Sequence, residues 1–280
     1  MRIIYTISIM IQLKQINSEK VRPIPVQKID NSKIKGCALF PEIYSNIFLV
    51  ARKKSGKTSV IWKILKSCAG RDTKIIIFAS TLYKDPNLIH IVNYFENKGN
   101  EVETYTSLKD DEGNNILSEV LDRLKLEDID EQNEDDQSIK FVPIDFGDDE
   151  RKEKSRRKEK FISPEYIIVF DDLGNELRNP YVNQLLKTNR HYKSKVIISS
   201  QHVTDISPES RKQIDFWILF GGHKEEKLKT IYDDADINIP FELFVKLYEN
   251  ATKQKYSFLY VDSRDVTFRK GFNYLYNFSQ

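Results

Sequence analysis

The sequence predicts an α/β fold in which helices flank a mainly parallel central sheet. Short apolar runs of strand length recur along the 280 residues, and segments with the helical spacing of apolar residues lie between them. Hydrophobic residues make up 40% of the chain, which is enough for a sizeable core. Because parallel neighbours need a crossover connection, strands that alternate with helices indicate a parallel sheet.

The predicted elements follow from these patterns in chain order. Strands are expected at Asn46 to Val50, Lys74 to Ala79, Glu101 to Tyr105, Tyr166 to Phe170, Lys195 to Ser200 and Phe216 to Phe220, with a C-terminal β-hairpin at Tyr256 to Val261 and Val266 to Arg269. Helices are expected at Ser59 to Cys68, Leu88 to Lys98, Ile116 to Leu126, Pro180 to Arg190, Ser207 to Gln213, Lys224 to Tyr232 and Pro240 to Asn250.

The chain is divided into an N-terminal extension, residues 1–45, and one domain, residues 46–280. The apolar run from Ile3 to Ile11 is shorter than the about 20 residues that span a bilayer and lacks a small-residue cleavage site, so no membrane partner is expected. We interpret it as a strand or an upstream extension, with translation starting at Met1 or Met10. Residues 127–160 form a charged insertion, acidic at first and then rich in Lys and Arg, which is expected to be solvated.

Several function classes lack their usual signals. Cys37 and Cys68 are far apart and fit no metal or redox spacing, and they are interpreted as reduced thiols of an intracellular protein. The four histidines show no zinc pattern. The net charge of +2 decides nothing about nucleic acid, because the position of the charge matters more than its sum.

The segment from Ala51 to Thr58 (ARKKSGKT) follows a predicted strand and precedes a predicted helix, as a phosphate-binding loop does. Amides of such a loop, together with the helix N-terminus, attract phosphate. The nucleotide-binding set is therefore predicted as Ala51, Arg52, Lys53, Lys54, Ser55, Gly56, Lys57, Thr58 and Ser59. Lys57 would bridge the β- and γ-phosphates of ATP, and Thr58 would ligate Mg²⁺.

A pair of acids ends the strand YIIVF, at Asp171 and Asp172. Such a strand runs beside the loop-bearing strand, so Asp171 is predicted to hold Mg²⁺ and Asp172 to orient or deprotonate the attacking water. Asp172 stands where most motor ATPases have Glu, and Glu176 is a fallback base. Gln201, at the end of the strand KVIISS, would contact the γ-phosphate and the water. No Arg-rich lid of the kind that nucleoside kinases carry is visible.

Taken together, the loop, the segment from Ile167 to Leu173 (IIVFDDL) and the segment from Asn189 to His202 (NRHYKSKVIISSQH) resemble the HerA/FtsK superfamily of DNA-pumping ATPases. Within it, the chain is most similar to the genome-packaging ATPases of large DNA viruses and virophages, the vaccinia type. The resemblance extends from Asn46 to the C-terminus, including the late tract from Tyr256 to Phe272. It implies a RecA-like (ASCE) P-loop NTPase that forms a homo-oligomeric ring and drives double-stranded DNA into a preformed capsid or portal vertex, in the host cytoplasm (virus factory) or the virion.

The resemblance also implies an arginine that acts on the neighbouring subunit's nucleotide. Arg190 matches this position, and Arg211 is a second candidate. Two motif residues depart from the family pattern: Ala51 replaces a glycine, which matters if the backbone there needs positive φ, and Asp172 replaces Glu. The DNA-contacting residues are expected in the basic block, namely Arg151, Lys152, Arg156 and Arg157.

Three functions stay open at this point. The first is a DNA-translocating ATPase for virion assembly. The second is a nucleotide-binding switch that hydrolyses ATP negligibly. The third is another P-loop enzyme, either a helicase or a nucleoside or polynucleotide kinase.

Overall fold

The computed structural model describes residues 30–136 and 161–278. The strands are β1 (Asn46–Val50), β2 (Lys74–Ala79), β3 (Val102–Tyr105), β4 (Tyr166–Asp171), β5 (Ser194–Ser200), β6 (Phe216–Phe220), β7 (Phe258–Asp262), β8 (Thr267–Lys270) and β9 (Tyr274–Leu275). The helices are α1 (Lys57–Cys68), α2 (Pro86–Asn97), α3 (Ile116–Asp136), α4 (Pro180–Thr188), α5 (Pro208–Arg211), α6 (Glu225–Asp234) and α7 (Phe241–Thr252).

The strands form one sheet in the order β3-β2-β4-β5-β1-β6-β7-β8-β9. All pairs from β3 to β6 are parallel, and β7, β8 and β9 add antiparallel strands at one side. The predicted α/β fold with a mainly parallel sheet is therefore confirmed. The strand that ends in the two acids, β4, was expected beside β1, but β5 lies between them. Because β1, β5 and β4 are consecutive parallel strands of the sheet, the loops that follow them still lie at the same edge, where ligands bind in open α/β sheets.

Two apolar cores lie on opposite faces of this sheet. Along β1, Ile47 and Leu49 belong to the core beneath α1 and α2, whereas Phe48 and Val50 belong to the core beneath α3, α4, α6 and α7. All five residues of β1 are buried. Strands covered on both faces read as continuous apolar runs, which is why the sequence located β1, β2 and β6 with correct bounds.

The structure corrects three expectations about element ends. The acidic residues at 127–136 were expected to open the solvated insertion, but they continue α3 to Asp136, because Glu and Gln are good helix formers despite their charge. The helix expected to end at Arg190 ends at Thr188. Strand β9 was not predicted; it is a two-residue edge strand that pairs with β8. The rest of the insertion, 137–160, and residues 1–29 lie outside the described residues.

The residues directly before β1 pack into the core. The Phe40 ring is buried, with its centroid 5.0 Å from that of Phe216. Lys195, on β5, is also fully buried, and its Nζ donates to the Glu42 carbonyl at 2.8 Å and to Ser45 Oγ at 2.7 Å. This lysine fastens the segment before β1 to the sheet.

The buried ammonium of Lys195 predicts a distinct pH dependence of stability. Burial lowers the pKa of Lys195 to about 8, from 10.5. Between these values the unfolded chain holds the proton more tightly than the folded one, so stability rises with pH through this window. We expect the free energy of unfolding of the wild type to gain about 2 kcal/mol relative to Lys195→Met between pH 7.5 and 10. Urea denaturation at both pH values checks this; equal changes in the two proteins would contradict it.

Candidate nucleotide-binding site

The loop between β1 and α1 has the backbone of a phosphate cradle. Gly56 is the N-cap of α1 with φ of 92°, and Lys54 also has a positive φ, 63°. No side chain caps the first turn of α1. Amides at such a helix start carry partial positive charge and need acceptors, and phosphate oxygens fit this need.

Ala51 does not strain the loop. It is fully buried, its N–H donates to the Ser200 carbonyl at 2.9 Å, and it is absent from the residues with positive φ. Within the loop, Lys54 and Gly56 are the residues that adopt the left-handed backbone conformation. The concern that alanine is a poor substitute for glycine at position 51 therefore has no basis in the backbone of this structure.

Lys57 and the two acids converge where α1 begins and β4 ends. Lys57 is 9% exposed; its Nζ lies 3.4 Å from Asp171 Oδ1 and also contacts Asp172 Oδ2. Burial raises the pKa of Asp171, and the charge of Lys57 opposes this rise. Phosphate groups that bind the loop must therefore compete with both carboxylates for one ammonium.

Asp172 is held differently from Asp171. Asp171 is buried at the last position of β4, whereas Asp172 follows it with φ of 51°, a conformation that Asp tolerates better than most residues. The Asp172 N–H donates to the Ser199 carbonyl at 3.1 Å, and its carbonyl accepts from Ser80 Oγ at 2.9 Å. The backbone is thus anchored on two neighbouring strands, while the carboxylate stays partly exposed.

Gln201 directly follows β5 and opens on a polar cavity of about 360 Å³. The cavity is lined by Lys53, Asp172, Gly174, Asn175, Ser200, Gln201, His202 and Asp205. The structure therefore brings Gln201 and Asp172 to one space beside the loop, as the sequence predicts.

Five residues of this cavity were not singled out from the sequence, and two of them, His202 and Asp205, carry titratable side chains. Asp205 accepts a hydrogen bond from Ser200 Oγ and another, at 3.3 Å, from the His202 N–H. His202 Nδ1 lies 3.1 Å from Lys227 Nζ, which reaches the cavity rim from α6. A Ser-Gln-His run followed by an acid is ordinary in loops, so no local signal marks these residues.

The remaining loop residues lie on two sides. Lys53 faces the cavity with Asp172, whereas the Arg52 guanidinium lies beside Gly222, after β6. Thr58 is partly buried, and Ser55 and Ser59 complete the segment.

Thr58 and Asp171 offer the hard oxygen donors that Mg²⁺ takes when phosphates supply further ligands. Among the described residues no group of three metal-binding side chains is found.

Two fallback candidates have other partners. The Glu176 carboxylate accepts from Ser107 Oγ at 2.7 Å and from the Leu108 N–H at 2.8 Å, so it is an anchor between loops. Arg211 is buried; its Nε contacts Asp234 Oδ2 at 2.5 Å and its Nη1 donates to the Ile206 carbonyl. Neither side chain is available for catalysis without breaking these contacts.

Arg190 lies far from the cavity of its own chain. It is exposed in the turn between α4 and β5, at the amino end of β5, whereas Gln201 follows the carboxyl end.

The predicted DNA contacts Arg151, Lys152, Arg156 and Arg157 lie outside the described residues. Within the residues that the structure does describe, no helix has the length and apolar character needed to cross a membrane.

Solved structures with this fold include a viral packaging enzyme. The chain is similar to the genome packaging NTPase B204 of Sulfolobus turreted icosahedral virus 2 in complex with AMP, with 18% identity and a TM-score of 0.51, over 85% of this chain and 100% of that chain. It is also similar to B204, the DNA-packaging ATPase of Sulfolobus Turreted Icosahedral Virus, at 19% identity and a TM-score of 0.50 with the same coverage. These similarities establish the P-loop NTPase fold. They confirm, at the level of the fold, the resemblance that the motifs indicate.

Sequence relatives come from iridoviruses. The chain is 31% identical over 136 residues to uncharacterized protein 075L of Invertebrate iridescent virus 6, and 25% identical over 104 residues to uncharacterized protein 015R of Frog virus 3. These matches cover 44% and 36% of this chain. They span about half of the first relative (52%) and a third of the second (32%). No family model matches the chain.

Proposed function

We propose that this protein is an ATP-hydrolysing motor that translocates double-stranded viral DNA into a preformed capsid. One observation carries the proposal: Lys57, Asp171 and Asp172 meet at the edge of the sheet where Gln201 and the phosphate-binding loop also lie. This combination provides a cation for the phosphates, an oxygen ligand for a metal and a polar group for the attacking water. The similarity to packaging enzymes that share the fold supports the choice of DNA as the substrate of the motor.

The residues divide the work of hydrolysis between them. Amides of the loop and of the first turn of α1 bind the phosphates, and Lys57 leaves the two carboxylates to contact the β- and γ-phosphates. Thr58 and Asp171 would hold Mg²⁺, which would supply positive charge to the phosphate oxygens. Asp172, at the cavity, accepts a hydrogen bond from the attacking water, and Gln201 orients that water against the γ-phosphate.

The assembly part of the proposal is a homo-oligomeric ring at the capsid or portal vertex, acting in the host cytoplasm (virus factory) or virion. In this ring Arg190 acts on the nucleotide of the neighbouring subunit; it is exposed and lies at the opposite end of β5 from the cavity of its own chain. Arg151, Lys152, Arg156 and Arg157 are the proposed contacts to the DNA phosphates. Such contacts grip the backbone without reading sequence, as a packaging motor requires.

The proposal predicts that double-stranded DNA stimulates ATP hydrolysis. We expect steady-state hydrolysis of Mg·ATP by the full chain to rise when long double-stranded DNA is added and to fall again at high salt, because the contacts are electrostatic. Coupled ATPase assays with and without DNA measure this, with Gln201→Ala as the variant expected to lose the stimulated rate. A control is Gln254→Ala, which changes a glutamine in the loop before β7.

Other outcomes would select other functions. Hydrolysis that DNA leaves unchanged would contradict the motor. Single-turnover hydrolysis indistinguishable from background, with ATP bound, would identify a switch. Transfer of phosphate to a nucleoside or a DNA end would identify a kinase, and strand separation would identify a helicase.

A further inference from the structure

Tyr256 lies beside the phosphate-binding loop although it is remote in the sequence. It precedes β7, and a Cβ atom built on Gly56 would lie 3.2 Å from Tyr256 Cδ1. The edge of the tyrosine ring therefore contacts the glycine that caps α1. Any side chain at position 56 would meet both this ring and the strain of a φ of 92°.

The exposure and backbone of Tyr256 are unusual for a tyrosine. The residue is 58% exposed, and its φ of 67° falls in the left-handed region that side chains other than Gly, Asn and Asp seldom adopt. Lys255 Nζ lies 4.8 Å from the ring centroid. Conformations of this kind cluster at functional sites, where a side chain is held for a ligand. A large aromatic surface is thus presented to solvent at the rim of the loop.

The position of the acids fixes which side of the loop receives the nucleoside. β1 lies between β5 and β6. Asp172, Gln201 and Lys53 lie on the β5 side and mark the place of the γ-phosphate. Because a triphosphate chain crosses the loop, the nucleoside end emerges on the opposite side, over the end of β6.

Tyr256 lies on that opposite side. β7 pairs antiparallel with β6, and Phe258 is the register partner of Phe220, the last residue of β6. Gly222 is the second residue after Phe220 and Tyr256 is the second residue before Phe258, so both lie just beyond the paired ends of β6 and β7. Gly222 packs against the Arg52 guanidinium. The ring therefore stands where the base of a loop-bound nucleotide arrives.

We propose that Tyr256 is the platform on which the nucleobase stacks, so that the site holds nucleoside triphosphates by the face of the base. The inference rests on the proposed function of the loop as an ATP site. Stacking on an aromatic ring is favourable for any base and does not read its hydrogen-bonding edge. The ring then contributes to the binding of ATP and contributes nothing to the binding of the phosphates alone.

Tyr256→Gly tests this inference without endangering the fold, because glycine adopts a positive φ freely. Calorimetric titrations of the full chain compare Mg·ATP with Mg·tripolyphosphate, which lacks base and ribose. We expect Tyr256→Gly to bind ATP about 5- to 150-fold more weakly, the range for one stacked base, and to bind tripolyphosphate as the wild type does. Tyr256→Trp should retain ATP binding. Tyr274→Gly, at an exposed tyrosine in β9, is the control.

The outcomes separate this inference from the function on which it rests. Unchanged ATP binding by Tyr256→Gly would overturn the inference alone. An equal loss for ATP and tripolyphosphate would also overturn it, since the ring would then act on the loop. A wild-type protein that binds neither ligand would overturn the proposed function and the inference with it.

Discussion

Lys57→Ala is expected to lower the rate of ATP hydrolysis by about 10²- to 10³-fold. This is the usual loss when an enzyme lacks one preorganised donor that stabilises the negative charge of the transition state. The ammonium is buried at the start of α1. It lies between two carboxylates and a loop that offers amides to phosphate. No other lysine or arginine contacts both Asp171 and Asp172 among the described residues, so no described side chain can replace it.

The same substitution has a second effect on the acids. The charge of Lys57 opposes the rise in the pKa of Asp171 that burial causes. Without Lys57, that pKa rises further and Asp171 takes up its proton at higher pH. The variant should therefore bind Mg·ATP more weakly as pH falls, over a range where the wild type still binds, because a protonated carboxyl is a poor metal ligand.

Steady-state ATPase assays and ATP titrations at several pH values measure both effects. Lys63→Ala is a matched control, since Lys63 lies on the same helix and is exposed. Hydrolysis by Lys57→Ala near the wild-type rate would contradict the assigned role of this loop. A pH dependence of binding identical to that of the wild type would contradict the coupling between Lys57 and Asp171.

The sequence predicted the parts of the site that depend on local pattern. Strand β1, the loop and the start of α1 follow one another without a break, so an apolar run and a glycine before a lysine locate them. Asp171 and Asp172 were located because an acid pair ends an apolar run. The sequence placed β4 beside β1, which is wrong because β5 lies between them; the acids approach Lys57 because all three strands are parallel and end at the same edge of the sheet.

The parts that the sequence missed depend on long-range contacts or on helix ends. Tyr256 reaches Gly56 only because β7 pairs with β6, and no pattern near Tyr256 indicates this. Glu176 looked like a free acid, but its partners, Ser107 and Leu108, follow a different strand. The acidic residues at 127–136 were assigned to an insertion because charge was weighed above helix propensity.

The geometry of Arg190 leads to the second large prediction. Arg190 precedes β5 and Gln201 follows it, so the seven residues of β5 separate them, by ~20 Å at about 3.3 Å per residue. No arginine side chain spans that distance. If Arg190 acts on a nucleotide, it acts on that of a neighbouring subunit. An arginine that a neighbouring subunit supplies to the nucleotide accelerates hydrolysis by about 10³- to 10⁵-fold. Arg190→Ala is therefore expected to abolish ATP hydrolysis while ATP binding persists.

Mixing two inactive variants distinguishes this role from a structural one. Lys57→Ala subunits keep Arg190, and Arg190→Ala subunits keep Lys57, so an interface between the two types in one order is complete. With equal amounts and independent interfaces in a head-to-tail ring, about a quarter of the interfaces should be active. Recovery measured by DNA-stimulated ATPase assays should approach that fraction, whereas no recovery at any ratio would contradict action between subunits.

Two further variants exclude an indirect effect of Arg190 on its surroundings. Burial raises the pKa of Asp215, and the positive charge of Arg190 is one of the influences that oppose this rise. The Asp215 carboxylate accepts from the Asn46 N–H at 2.7 Å, so removal of Arg190 also changes the charge near the start of β1. Arg190→Lys keeps that charge but loses the planar fork that contacts phosphate oxygens. Arg190→Lys should therefore unfold like the wild type but be as inactive in ATP hydrolysis as Arg190→Ala. His191→Ala, at the adjacent exposed position, should unfold and hydrolyse ATP as the wild type does. Because only an arginine between subunits predicts inactive Arg190→Lys together with recovery on mixing, the two results jointly place Arg190 at a subunit interface.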